Sequence, residues 1–170
     1  MDSRIDSAVL IALGGNLKGG FASRALLLEA ALGDFAGAGL ILRGRSRWWR
    51  SAAWPNPSDP DYLNGVAIVE SKLDPEEILA ALHAIEARFG RIRSQPNAPR
   101  TLDLDLIAHG RLVRTAAPPI LPHPRAAERL FVMGPLTEIA PGWVHPVLGE
   151  TAAALAARAT VGRDAAPVGG

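Results

Sequence analysis

The chain of 170 residues is 48% apolar and 21% charged, enough apolar material to fill a core and too little charge for a disordered polymer. A formal charge of +1 creates no field that would gather nucleic acid or an anionic membrane, and the lack of cysteine excludes disulfides, thiolate metal sites and thiol nucleophiles. Residues 1–7 carry charges without an apolar signal core, and no apolar run reaches the roughly twenty residues of a membrane span, so a cytoplasmic setting is expected.

Ala8-Val9-Leu10-Ile11-Ala12-Leu13 is a short apolar run stopped by Gly14-Gly15-Asn16, which predicts a buried strand entering a turn. A helix is predicted over 23–35, with Leu26, Leu27, Ala30 and Ala31 as its apolar stripe and Gly37 and Gly39 marking the exit. Residues 40–49 alternate, with Leu40, Leu42, Gly44, Ser46 and Trp48 against Arg43, Arg45 and Arg47, as a strand with one basic face. Residues 51–61 hold three prolines and no period, a long loop of the kind that carries function in a small domain.

A strand resumes over 62–71. Asp74-Pro75-Glu76-Glu77 then reads as a helix start, with an Asp cap, Pro in first position and Glu three after the cap. Ile78, Leu82, Ile85 and Phe89 form its buried stripe, and Gly90 ends it. A second irregular stretch, 94–99, precedes a strand over 101–108, and His109-Gly110 turns into a short strand over 111–114. Beyond 149 an Ala-rich segment predicts a short helix, and the ending from about 160 is expected to fray. The order strand, helix, strand, strand, helix, strand fits an α+β, ferredoxin-like (split β-α-β) fold in one domain over residues 1–170. Its sheet is antiparallel, both helices lie on one face, and additions follow at the C-terminus.

In a strand at 101–108, Leu102, Leu104 and Leu106 face one side while Asp103 and Asp105 face the other. Two adjacent carboxylates repel unless a cation lies between them, and their oxygens suit Mg²⁺ held with water and substrate phosphates. The plainer alternative is an acidic solvated face. Arg91, Arg93 and Arg100 flank the pair, and guanidinium forks suit phosphate oxygens, although an ion-pair patch would use the same residues. Acids for magnesium beside arginines for phosphate is the layout that phosphoryl transfer requires. Neither a Walker sequence nor a kinase glycine-rich loop is present.

Ala98-Pro99-Arg100-Thr101-Leu102-Asp103-Leu104-Asp105-Leu106-Ile107 closely resembles the signature of the 6-hydroxymethyl-7,8-dihydropterin pyrophosphokinase family. Ile11-Ala12-Leu13-Gly14-Gly15-Asn16-Leu17, Asp61-Tyr62-Leu63-Asn64, Leu121-Pro122-His123-Pro124-Arg125 and Arg129-Leu130-Phe131-Val132 resemble further blocks of that family, in the right order. So do Pro135-Leu136 and Glu138-Ile139-Ala140-Pro141. The resemblance implies pyrophosphoryl transfer from ATP to the pterin hydroxyl, with AMP leaving and two magnesium ions bridging the ATP phosphates on Asp103 and Asp105. It implies Arg91 and Arg100 on the phosphates as the site closes, and His123 and Arg129 on the phosphates or nucleotide. Asn64 would bind the pterin, and Tyr62 and Phe131 would sandwich it; Trp54, in the loop on that side, would pack within the loop or cover the ring. Glu86 would line the site, and His83 would lie on the adenine side.

This chain carries Asn97 where the family often has Trp, Gly15 where Ser is common and Pro124 where an aromatic is common, and its loop between Arg93 and Arg100 is about one residue shorter. The loops 51–61 and 94–99 are expected to close over the substrates, as phosphoryl transfer must exclude water. A monomer with small-molecule substrates is the expectation. Two rivals share the element order: an RNA-recognition-like binding module, which Asp103 and Asp105 oppose by charge, and a relative that binds nucleotide without turnover.

Overall fold

The computed structural model describes residues 5, 7–53, 58–90 and 102–168. Trp54, Arg91, Arg93, Asn97 and Arg100 therefore lie outside the described residues, as do the whole of 94–99 and the centre of 51–61.

The first apolar run forms β1 (Val9–Gly15), buried along its whole length. Ser23 caps α1 (Arg24–Gly33) through its side chain, which accepts the Leu26 N–H at 3.1 Å. β2 (Ile41–Arg45) and β3 (Trp49–Ser51) follow, then β4 (Tyr62–Glu70). Asp74 caps α2 (Pro75–Arg88) as its sequence predicts, accepting from Glu77 N–H at 2.8 Å. β5 (Asp103–His109) completes the sheet core. Among the described residues the sheet's strand pairings are antiparallel, in the order β5-β1-β4, with β2 and β3 both lying along β4. With β2 and β3 taken as one bent strand, this is the ferredoxin-like order.

The predicted strand over 40–49 is interrupted, and Ser46 is the cause. Its N–H donates to Val66 O at 2.9 Å while its hydroxyl accepts Val66 N–H at 3.0 Å, so one residue takes both ladder positions. The chain kinks there and sends Trp48 and Trp49 to opposite faces, Trp48 against Gly65 and Trp49 against Gly134. The strand predicted over 111–114 does not form. Only Arg114 pairs, with Leu121, because Pro118, Pro119 and Pro122 offer no N–H to extend a ladder.

One face of the sheet carries Ile11, Leu13, Val69, Leu104 and Leu106 against Leu28 and Phe35 of the α1 side and Ile78, Leu82 and Ile85 of α2. The other face carries Leu10, Ala12, Val66 and Ile107 beneath α3 (Leu130–Ile139) and α4 (Ala152–Ala157), with Trp143 buried among them. Helix α3 was not expected from the sequence pattern, since Pro135 lies inside it. The ending also differs from a frayed tail: Ala165 is buried, and β6 (Ala166–Pro167) pairs with β3.

Candidate active site

Strand alternation and register build the site. Leu102, Leu104 and Leu106 are buried on the first face, which leaves Asp103 and Asp105, both half-buried, on the second. Register sets Asp103 opposite Gly14 and Gly14 opposite Asn64, so three strands contribute one transverse row: carboxylate, glycine, carboxamide. Two strand spacings put roughly 10 Å between the ends of that row. The next row, Asp105, Ala12 and Val66, runs under the α3 side of the sheet, where Ala12 and Val66 are buried. Glycine at 14 keeps the centre of the first row flat, because a methyl there would stand 2.7 Å from Asn64 Oδ1.

Asn64 is buried and fixed: its Nδ2 donates to Ser51 Oγ at 3.1 Å. Tyr62 lies two residues back on the same strand face, paired across from Ser51. The loop between β3 and β4 is held where it returns. Asn16 Nδ2 donates to Pro60 O at 3.1 Å, and the Arg24 guanidinium donates to Asp61 O. Ser51 went unnoticed in the sequence, although a hydroxyl at the strand end bordering a long loop was the available signal.

On the carboxylate side, a cavity of about 420 Å³ is lined by His83, Asp103, Asp105, His123, Pro124 and Arg129. Glu86 is buried on α2, and its carboxylate accepts the Leu104 N–H at 2.8 Å. It thus satisfies an edge N–H of β5 between the two aspartates rather than pointing to a ligand on that bond. His123 is anchored by its own N–H to Ile107 O at 2.8 Å, and its Nδ1 accepts from Arg125 N–H at 3.2 Å. Burial pushes the imidazole down to about 4, Arg129 and Arg125 push the same way, and Asp103 opposes them. At neutral pH the ring is uncharged, and with Nδ1 accepting, Nε2 carries the proton as a hydrogen-bond donor. Arg129 precedes α3, with its guanidinium carbon 5.6 Å from the centre of the half-buried Phe131 ring.

The structure therefore brings Asp103, Asp105, His123, Arg129 and His83 to one cavity. It places Tyr62 and Asn64 on the same sheet face, joined to Asp103 through Gly14. Among the described residues no three His, Asp or Glu side chains form a metal cage. Two carboxylates alone fit Mg²⁺, which keeps several waters and takes its remaining ligands from phosphates.

A ferredoxin-like domain with paired carboxylates, a neutral imidazole and a guanidinium around an edge cavity is the class defined by fold and site. The family model described as 7,8-dihydro-6-hydroxymethylpterin-pyrophosphokinase matches residues 10–141. The chain belongs to that family. It is 44% identical over 136 residues to the 2-amino-4-hydroxy-6-hydroxymethyldihydropteridine pyrophosphokinase of Synechocystis, covering 80% of this chain and 64% of that protein. It is 34% identical to the protein of the same name from Porphyromonas gingivalis, covering 81% of this chain and 93% of that one. Thus the chain spans less than two thirds of the Synechocystis relative. Among solved structures, the wild-type HPPK-DHPS of Plasmodium falciparum superposes with a TM-score of 0.66 at 13% identity, covering 92% of this chain and 46% of that one. That likeness is one of fold.

Proposed function

We propose that this chain transfers the pyrophosphoryl group of ATP to the hydroxymethyl group of 6-hydroxymethyl-7,8-dihydropterin, a step of folate synthesis. The pterin hydroxyl oxygen attacks the β-phosphorus in line. The bond from that phosphorus to the oxygen shared with the α-phosphate breaks, AMP leaves, and the hydroxyl proton passes to solvent. The observation that carries the reading is the row Asp103, Gly14, Asn64. A flat heterocycle read by a buried carboxamide at one end would place its hydroxymethyl arm over glycine and toward the carboxylates at the other.

In this reading Asn64 reads the ring in plane and Tyr62 and Phe131 cover its faces, consistent with a half-buried Phe131. Asp103 and Asp105 would hold magnesium, which would neutralise phosphate charge when bound. His123 and Arg129 donate to phosphate oxygens, with His83 toward the adenine. Arg91 and Arg100 complete the phosphate clamp on the strength of the family resemblance, and Trp54 covers the pterin by its place in the loop between β3 and β4. The expected setting is a cytoplasmic monomer; no described helix is long and apolar enough to cross a membrane. An RNA-recognition reading needs an open sheet face, and here α3 and α4 cover much of it. Incubation with ATP, Mg²⁺ and the pterin tests the proposal: AMP and pterin diphosphate are expected, and ADP or no product would remove it.

A further inference from the structure

None of the residues proposed for the transfer chemistry lies on the C-terminal tail, yet the tail touches both walls of the proposed pterin side. Thr160 N–H and Val161 N–H donate to Glu128 O at 3.0 and 2.9 Å, and Leu130 N–H donates to Val161 O at 2.9 Å. These bonds set the tail beside the entry of α3. Gly162 then lies against the Phe131 ring with a φ of +68°, and a methyl there would overlap ring atom Cδ1 and stand 3.0 Å from Cε1. A side chain at 162 is excluded twice, by the backbone conformation and by the ring.

Ala165 N–H closes a turn onto Gly162 O at 2.9 Å, and the Asp164 carboxylate accepts the Ala52 N–H at 2.7 Å. β6 continues along β3, with Arg50 opposite Ala166 and Val168 N–H donating to Trp48 O at 2.8 Å. Ala52 is where β3 ends and the loop to β4 begins, and its neighbour Ser51 holds Asn64. Tail and loop enclose a cavity of about 350 Å³ between Asp164 and Pro167 on one side and Arg50, Ser51 and Asp61 on the other. Segments far apart in sequence, the ring on α3 and the carboxamide reader on β4, are thus fixed relative to each other by one short stretch of chain.

We infer that Asp164, with Gly162 behind the ring, is a positioning residue for the pterin. It touches no reacting atom. Its charge-assisted hydrogen bond fixes where the loop leaves the sheet, and so fixes Ser51 and the carboxamide it orients. The inference rests on the pterin reading of the Asn64 side. A purely structural tail would instead lower stability and weaken both substrates alike, since β6 also covers a sheet edge.

Asp164→Ala and Asp164→Asn in the full chain separate the two, with pterin and a non-hydrolysable ATP analogue titrated separately and steady-state constants measured. Loss of a hydrogen bond to a charged acceptor predicts pterin Kd and KM raised about tenfold in Asp164→Ala, with ATP-analogue affinity and kcat within about twofold. Asp164→Asn keeps an oxygen for the Ala52 N–H and recovers most of the loss. Hydrogen exchange at the Ala52 amide should quicken in Asp164→Ala and not in Asp164→Asn, without any substrate present.

Unchanged pterin KM in Asp164→Ala, equal weakening of both ligands, or no recovery in Asp164→Asn would overturn the inference. If Asp164→Ala fails to fold, Asp164→Ser, whose hydroxyl is too short for the Ala52 N–H, carries the test, and pterin affinity must fall while ATP-analogue affinity holds. A wild-type chain that neither binds pterin nor forms AMP removes the functional reading and this inference together. Wild-type turnover with an indifferent Asp164→Ala removes this inference alone.

Discussion

Glu86→Ala is the substitution that most directly probes how the aspartates are held. The Glu86 side chain is buried, and its carboxylate accepts the Leu104 N–H at 2.8 Å, between the residues that carry Asp103 and Asp105. Among the described residues β5 pairs in the sheet with β1, and on its outer side the Leu104 N–H has Glu86 as its partner. Alanine leaves a buried donor unsatisfied, about 1–3 kcal/mol, and removes methylene and carboxyl volume from a packed site, roughly another 1 kcal/mol. A loss of about 2–4 kcal/mol is therefore expected by urea denaturation, a large share of the roughly 5–15 kcal/mol that holds a domain together. At temperatures where the variant remains folded, turnover should also fall, because the strand edge that sets the carboxylate spacing is released. Glu86→Gln keeps the volume and one acceptor oxygen and should recover most of the stability. A Glu86→Ala variant within about 0.5 kcal/mol of wild type would refute the reasoning.

Asp103→Ala or Asp105→Ala should lower turnover roughly a thousandfold or more while leaving the unfolding midpoint nearly unchanged, since neither side chain is a core contact; retained activity at saturating Mg²⁺ would sink the metal assignment. Asn64→Ala and Phe131→Ala should each weaken pterin binding by about 1–3 kcal/mol in calorimetric titration and spare the ATP analogue, whereas equal losses would mean a structural role. Gly14→Ala places a methyl 2.7 Å from Asn64 Oδ1, and displacement of that carboxamide should raise pterin KM about tenfold; a wild-type KM would mean that the carboxamide does not read the ring. The unfolded chain protonates His123 near 6.5 and the folded chain only near 4, so metal-free stability is full above about pH 6.5 and is lost as pH falls toward 4. The loss should be on the order of 2 kcal/mol after allowance for partial exposure, and denaturation curves of His123→Gln should lack it.

The sheet core was legible because its residues obey one period each. Alternation of Leu102, Leu104 and Leu106 with Asp103 and Asp105 predicts β5 and its acidic face together, and the Asp74-Pro75 start with the Ile78, Leu82, Ile85 stripe predicts α2. Helix α3 escaped because Pro135 breaks the helical reading, while tertiary cover over Val132, Met133 and Leu136 sustains the helix despite the lost N–H. Ser46 hid the kink between β2 and β3, since only the fold reveals a hydroxyl standing in for a backbone partner. The tail was misread for a related reason: its composition is that of a loose end, and its order comes from Gly162 on a ring and Asp164 on an amide more than one hundred residues away. Of the candidate site, Asp103, Asp105 and Asn64 stand out one by one in the sequence, but the row that joins Asp103 to Asn64 depends on strand register, which no local pattern encodes.

That register also explains why binding and packing can share one sheet face. Along β1 the second face runs Leu10, Ala12, Gly14; along β4 it runs Ile68, Val66, Asn64; along β5 it runs Ile107, Asp105, Asp103. Each strand thus passes from apolar bulk beneath α3 and α4 to small or polar groups at the same end of the sheet. A helix extended over that end would bury two carboxylates against apolar surface, at a desolvation cost of several kcal/mol. The covering layer therefore leaves both carboxylates half-exposed, and that end of the sheet carries the candidate site. Replacing Asp103 by leucine would remove that penalty and leave the rest of the row intact. The variant should be inactive yet at least as stable as wild type, and a clear loss of stability in urea would show that the half-exposed carboxylate is not kept there by the cost of burying charge.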